Sequence, residues 1–217
     1  MSGVTEEAVL CMQHCSNQMN IFFTKFPEMC PLCGQSLKSC SLIIPPFRIP
    51  SPFVAQNNVS GVLLVKPTKG SFLRDYKSGD DLHVGIVATN GKVYNFDEIG
   101  LHADSTNWEQ CIAVSVNVDV CVSNSEHWDS KLRQMLCSGL WTYKEYDEHS
   151  NNCFDFALSF LNHFLPTNKK PLQKRDFCRD FIVPLTTKAA QYIDLYRRIQ
   201  QGGGVVVERS RWRSYSA

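Results

Sequence analysis

Cys153 follows Asn151-Asn152 at the point where an apolar helical pattern begins. Phe154, Ala157, Leu158, Phe160, Leu161, Phe164 and Leu165 recur at helical spacing, and Pro166 ends the run. Asn151 or Asn152 can cap that helix and leave Cys153 in its first turn. Unpaired N–H groups and the positive end of the helix dipole favour a thiolate there. A cysteine so placed is either a nucleophile or a small buried hydrophobe.

A cysteine nucleophile needs a base, and the base needs a third group to orient it. Of the six histidines, His83 lies in the apolar stretch Leu82-His83-Val84-Gly85-Ile86-Val87. A buried imidazole there requires a hydrogen-bond partner. A second chemistry-bearing feature is Cys30-Pro31-Leu32-Cys33-Gly34, a C-x2-C turn of the kind that offers two thiolates to one tetrahedral zinc. Cys15 is the natural third ligand, and His14 and Cys11 compete to be the fourth. Cys40 is spare, and no helical pattern starts at Cys30 to suggest a redox C-x-x-C.

The elements that must position these residues follow from periodicity and turn signals. Val62 to Val65 predicts a strand stopped by Pro67 and Gly70. Leu82 to Thr89 and Lys92 to Phe96 predict a hairpin around Asn90-Gly91. Ile112, Val114, Val116, Val118 and Val120 alternate with smaller or polar residues, a half-buried strand. Trp128, Leu132, Met135 and Leu136 mark a helix over 126–137, and another is expected from about Thr186 to Gln201, closed by Gly202 to Gly204. His102, after Gly100, reads as a loop residue. Strands first and helices after them argue for an α+β fold. The expected organisation is an N-terminal cysteine-rich segment (1–43), a proline-rich linker (44–58), an α+β core (59–201) and a disordered basic tail (202–217).

Bulk composition narrows the partners. Lys and Arg number 22 against 21 Asp and Glu, a net charge of +1, which argues against nucleic acid or an acidic membrane as partner. No apolar run reaches the roughly 18 residues of a membrane-spanning helix, and Met1 to Val9 carries no secretory pattern. Ten cysteines, five clustered at 11, 15, 30, 33 and 40 and the others scattered, fit reduced thiols with one metal site in cytoplasm or nucleus.

His83-Val84-Gly85-Ile86 and, much later, Asn152-Cys153-Phe154-Asp155-Phe156 resemble the paired signatures of the permuted papain-like thiol hydrolases, the PPPDE and lecithin:retinol acyltransferase-like groups. The resemblance implies an antiparallel sheet packed on helices (NlpC-type), with histidine before cysteine in the chain, opposite to papain. It makes Cys153 the nucleophile and His83 the base. In the acyltransferase-like group a second polar residue follows the first by twelve positions, which here is Asn95. Hairpin register decides that assignment. A two-residue turn pairing Thr89 with Lys92 puts Tyr94 and Phe96 on the face of His83, whereas a three-residue loop with Gly91 in a bulge puts Asn95 there.

Phe72-Leu73-Arg74-Asp75-Tyr76, Asp81 to Ile86 and Val93-Tyr94-Asn95 resemble the makorin-2 opposite-strand family along almost the whole chain. That resemblance supplies relatedness without chemistry. It falls on the pair His14-Cys15, favouring His14, Cys15, Cys30 and Cys33 as ligands of a structural zinc. The expected function is a papain-like thiol hydrolase of the peptidase, isopeptidase or amidase class, with a protein substrate or partner. The alternative is a catalytically inactive scaffold of the same fold, a zinc-stabilised protein-interaction module.

Overall fold

The computed structural model describes residues 7–116 and 125–212. Its strands are β1 (Leu10–Gln13), β2 (Met19–Phe23), β3 (Ile44–Arg48), β4 (Leu63–Pro67), β5 (Leu82–Val87), β6 (Val93–Asp97), β7 (Gly100–Asp104), β8 (Ile112–Val114) and β9 (Val205–Glu208). The helices are α1 (Ser125–Cys137), α2 (Cys153–His163), α3 (Lys174–Phe177), α4 (Val183–Gly202) and α5 (Arg209–Trp212). A π-helical turn, Cys178–Ile182, joins α3 to α4, and Pro184 follows directly after it as the second residue of α4. The protein is α+β, with two antiparallel sheets ordered β3-β1-β2-β9 and β7-β6-β5-β4-β8. The chain divides into two compact units, one of residues up to Pro52 with those from Ala190, the other Phe53–Ala189.

In the unit Phe53–Ala189, period-two alternation sorts side chains onto two faces of the five-stranded sheet. Leu63, Val65, Val84, Ile86, Tyr94, Phe96 and Val114 pack with Trp128 and Leu132 of α1 and with Phe156, Phe160 and Leu161 of α2. Leu64, Val87 and Val93 pack on the other face against Trp108 and Cys111. Gly85 belongs to this second face for a steric reason. A Cβ there would lie 2.4 Å from Val93 Cγ1 and 2.7 Å from the Trp108 ring.

The hairpin turn is three residues long. Ala88 N–H donates to Lys92 O at 2.9 Å, Gly91 N–H to Ala88 O at 3.1 Å, and Gly91 takes φ 78°, the left-handed conformation that closes such a loop. Val87 therefore opposes Val93, and Gly85 opposes Asn95. Of the two alternatives this is the three-residue loop, and it keeps Asn95 on the face of His83. The turn is fastened to α1, since Thr89 N–H donates to Asp129 Oδ1 at 3.0 Å and Trp128 Nε1 to Val87 O at 3.0 Å.

Several expectations are corrected. Residues 44–48 form strand β3 beside β1 rather than a linker, and Val54 bridges Cys111. The prolines of β3 are compatible with its position at a sheet edge. The tail is ordered through Trp212: Gly203 turns the chain with φ 73°, and Val205–Glu208 pairs with β2. The β-branched run Val205-Val206-Val207 is the reason. The expected core boundary at 59–201 moves as well, because Ala190 onward groups with the N-terminal residues. Of the strand expected over 112–120, Ile112–Val114 forms and 117–120 lies outside the described residues.

The crowding at Gly85 predicts that Gly85→Ala destabilises the protein by about 1–3 kcal/mol through overpacking. The urea unfolding midpoint should fall, and an unchanged midpoint would contradict the packing at Trp108.

Candidate functional site

Asn152 is the N-cap of α2. Its Oδ1 accepts the Phe154 N–H at 3.0 Å, and Asp155 Oδ2 accepts the Asn152 N–H at 3.0 Å, a capping box. Lys174 Nζ lies 2.7 Å from the same Asp155 oxygen and ties α3 to α2. Cys153 is thus held in the first helical position, 5% exposed. The β5–β6 pairs stop at Gly85–Asn95, while β5 stays paired with β4 to Leu82 and β6 with β7 to Asp97. At that parting of the strands the Cys153 sulfur meets the backbone N–H of Val84. Burial dominates its chemistry and pushes the thiol up to about 11, against the lowering effect of the Val84 and Phe154 N–H groups and of Lys174.

His83 and Asn95 come together as the register requires, His83 Nε2 lying 2.8 Å from Asn95 Oδ1. The tautomer follows from the amide. Asn95 Nδ2 donates to Asp104 Oδ2 at 3.0 Å and to Val93 O at 3.4 Å, so Oδ1 is the acceptor, Nε2 carries the proton, and Nδ1 keeps its lone pair. Burial lowers the His83 pKa, partly offset by the bond to Asn95. The imidazole is therefore neutral near pH 7.

Asp104 and Trp108 are the site residues that sequence reasoning missed. Trp108 Nε1 donates to Asp104 Oδ2 at 3.2 Å, and the His83 and Trp108 rings lie 5.7 Å apart. The missed signal is short: Leu101 and Ala103 pack inward, alternating with His102 and Asp104, which marks a strand where a loop was expected. His102 accordingly sits in β7 opposite Asn95, with Nε2 3.5 Å from Asp104 Oδ1. Cys153, His83, Asn95, Asn152, Tyr146 and Asp104 line one cleft of about 460 Å³. Thiol and imidazole share this cleft without a hydrogen bond between them among the described residues.

The N-terminal cluster belongs to the other unit. The Cys30 turn is built by Cys30 N–H donating to Gln35 O at 2.8 Å and Gly34 N–H to Cys30 O at 2.9 Å, with Gly34 at φ 72°. The end of β1 supplies His14 and Cys15. Ligand atoms of His14, Cys15, Cys30 and Cys33 all lie within 4.8 Å of one another. The Cys15 and Cys30 sulfurs are 3.9 Å apart, and Cys33 Sγ is 3.5 Å from His14 Nδ1. A tetrahedral ion with metal–sulfur and metal–nitrogen bonds of about 2.3 and 2.0 Å would space its ligands by about 3.8 and 3.5 Å. The cluster could therefore hold a metal ion. Burial raises the Cys30 thiol, but the N–H groups of Cys33 and Leu32 and the His14 and Cys33 side chains outweigh it, leaving about 7. Cys11, the competing ligand, is fully buried in β1 outside the cluster, its thiol pushed up to about 12 by burial.

Fold and clusters together define an α+β protein with a candidate Cys–His–Asn cleft in one unit and, in the other, a candidate metal site of one histidine and three cysteines. Residues 46–199 match the DUF4796 C-terminal family and residues 7–37 the DUF4796 N-terminal family. The human MKRN2 opposite strand protein is 35% identical over 203 residues, covering 93% of this chain and 90% of the relative. The chain belongs to this family. No solved structure matches it significantly. Among the described residues no helix is long and apolar enough to cross a membrane.

The depressed His83 pKa has a stability consequence. As pH falls through the ordinary imidazole value of about 6.5, the unfolded chain takes up a proton that the folded imidazole refuses, so stability present above that pH is lost below it. His83→Gln should lose less stability between about pH 7 and 5 in urea unfolding. Equal losses in the two proteins would contradict the buried neutral imidazole.

Proposed function

We propose that the protein is a papain-like thiol hydrolase acting on an amide, isopeptide or ester bond, with Cys153 as nucleophile, His83 as base and Asn95 as its orienting partner. The observation that carries the reading is the 2.8 Å bond from His83 Nε2 to Asn95 Oδ1, in the cleft that also holds the capped Cys153. That bond leaves His83 Nδ1 as the proton acceptor. Because burial disfavours both thiolate and imidazolium, the reaction runs by general-base transfer and not from a standing ion pair. The reaction requires the thiol to reach Nδ1 at about 3–4 Å. Cys153 Sγ attacks the acyl carbon as its proton passes to His83. The cap engages the Phe154 N–H, and the Cys153 N–H, which meets its own sulfur at rest, would turn to the oxyanion. Collapse breaks the bond to the leaving amine or alcohol, which takes the proton from His83. Water, deprotonated by His83, then attacks the thioester, releasing the acid and the Cys153 sulfur, which takes the proton back from His83.

A second reading, a non-catalytic binding scaffold with the same fold, draws on the near-complete burial of Cys153 and its raised thiol pKa. p-Nitrophenyl acetate separates the two. The hydrolase reading predicts one acetyl group on Cys153 by peptide mapping, absent in Cys153→Ala and formed about 100-fold more slowly in His83→Ala. No acetylation at Cys153, or a rate indifferent to His83, would leave only the scaffold.

We further infer that His14, Cys15, Cys30 and Cys33 hold one structural zinc. Three clustered thiols, which as thiolates repel one another, and ligand spacings that fit a tetrahedral ion support this. The zinc would stabilise the fold of its own unit, with no part in acyl transfer. Elemental analysis should find about one zinc per chain, lost in Cys30→Ser. Zinc-free purified protein would overturn the assignment.

A further inference from the structure

We propose that the cleft over Cys153 selects a polypeptide segment bearing lysine or arginine; this rests on the hydrolase reading and names its substrate class. The chain as a whole is nearly neutral, at +1. The cleft is not. Asp81, Asp97, Glu98, Asp104 and Glu148 line it against a single ammonium, Lys66.

These groups do different work. Asp104 is occupied by Asn95 and Trp108, and Asp97 Oδ1 accepts the Ile99 N–H at 3.0 Å. Glu148 lies 3.3 Å from His149. Asp81 and Glu98 are exposed and make no side-chain hydrogen bond or ion pair among the described residues. Lys66 forms an ion pair with neither, its Nζ donating to Asn107 O at 3.0 Å and lying 4.3 Å from the centre of the Trp108 ring. At the sulfur the acting charge is Lys174, itself paired with Asp155, whereas the carboxylates act on Tyr146 in the wall of the same cleft. Burial first, with the charges of Glu98, Asp97 and Glu148 among the further causes, raises the Tyr146 phenol above its ordinary value. A cleft lined by one sign of charge concentrates ligands of the other sign.

The adjoining wall distinguishes a polypeptide from a small polycation. Leu101 N–H donates to Trp141 O at 2.9 Å, fastening the start of β7 to the segment before α2. Beside that junction Ile99, Leu140 and Tyr143 are 71%, 72% and 60% exposed. Ile99 and Leu140, beside the unpaired Glu98, fit a chain carrying both basic and apolar side chains, while the Tyr143 ring is met by Lys144 at 5.9 Å. A polyamine could use only the carboxylates.

A matched pair of methanethiosulfonates reads the field at Cys153 without requiring turnover. Each forms Cys153–S–S–R and releases methanesulfinate; one carries a trimethylammonium group, the other a sulfonate. With exposed Cys137 as internal reference, the cationic reagent should be favoured at Cys153 by about tenfold or more, and Asp81→Asn with Glu98→Gln should bring the ratio down to that of Cys137. A ratio already equal to that of Cys137 would overturn the substrate class while leaving the nucleophile standing. Failure of both reagents at Cys153 would overturn the hydrolase reading and this one together.

The second arm uses the Cys153→Ala chain and a fluorescein-labelled nonapeptide of alternating lysine and leucine, followed by anisotropy. Binding should weaken about tenfold in the Asp81→Asn, Glu98→Gln chain and again in Ile99→Ser, Leu140→Ser, and a glutamate–leucine peptide should not bind. Absence of lysine–leucine peptide binding would overturn the proposal. So would displacement by equimolar spermine with no effect of the Ile99 and Leu140 changes, which would assign the cleft to a small polycation.

Discussion

The candidate site depends on one hydrogen bond across a hairpin, from His83 Nε2 to Asn95 Oδ1. It exists only in the register where Gly85 faces Asn95, since a slip of one residue would turn Tyr94 and Phe96 to the face of His83. That register is held from both ends. At the turn, Gly91 in the left-handed conformation fixes the loop length, and the carboxylate of Asp129 binds Thr89. Below it, Asp104 and Val93 O accept the amide hydrogens of Asn95, Trp108 donates to Asp104, and Gly85 makes room for Trp108. The glycine of the His-x-Gly motif and a tryptophan far along the chain thereby serve the orientation of one amide.

Burial sets the terms of the chemistry. It supplies the dry surroundings in which an Asn–His bond is strong, and it also raises the Cys153 thiol and lowers the His83 imidazole, so both rest uncharged. A site arranged in this way is quiet until the thiol proton has somewhere to go. The cluster of His14 with Cys15, Cys30 and Cys33 follows a different logic in a separate unit, where three sulfurs and one imidazole are brought within 4.8 Å of one another by a tight turn and a strand end. There, closely spaced thiols call for a cation.

Local signals are the most legible part of the sequence. Helical spacing and an Asn cap locate α2 and Cys153, and parity along the hairpin puts the alternatives for Asn95 in plain terms. The choice between them lies in turn geometry and in Asp129, a contact 40 residues from Thr89 that no local pattern records. Likewise β7 is hidden because four alternating residues after a glycine look like a loop, and Asp104 is hidden with it. The tail is misleading because charge and glycines near the terminus outweigh three consecutive valines that complete a sheet with β2. The choice of His14 over Cys11 comes from family resemblance. Position along the chain supplies the physical reason: Cys11 is buried within β1, whereas His14 lies just past its end.

The proposed acyl transfer requires His83 to be a neutral imidazole protonated at Nε2, with Nδ1 free to accept the thiol proton. Long-range proton–nitrogen correlation NMR on ¹⁵N-histidine-labelled protein at neutral pH reads this directly. The expected result is the Nε2–H tautomer for His83, converting to the ordinary mixture of tautomers in Asn95→Ala. An Nδ1–H tautomer or a charged imidazolium at neutral pH would contradict it.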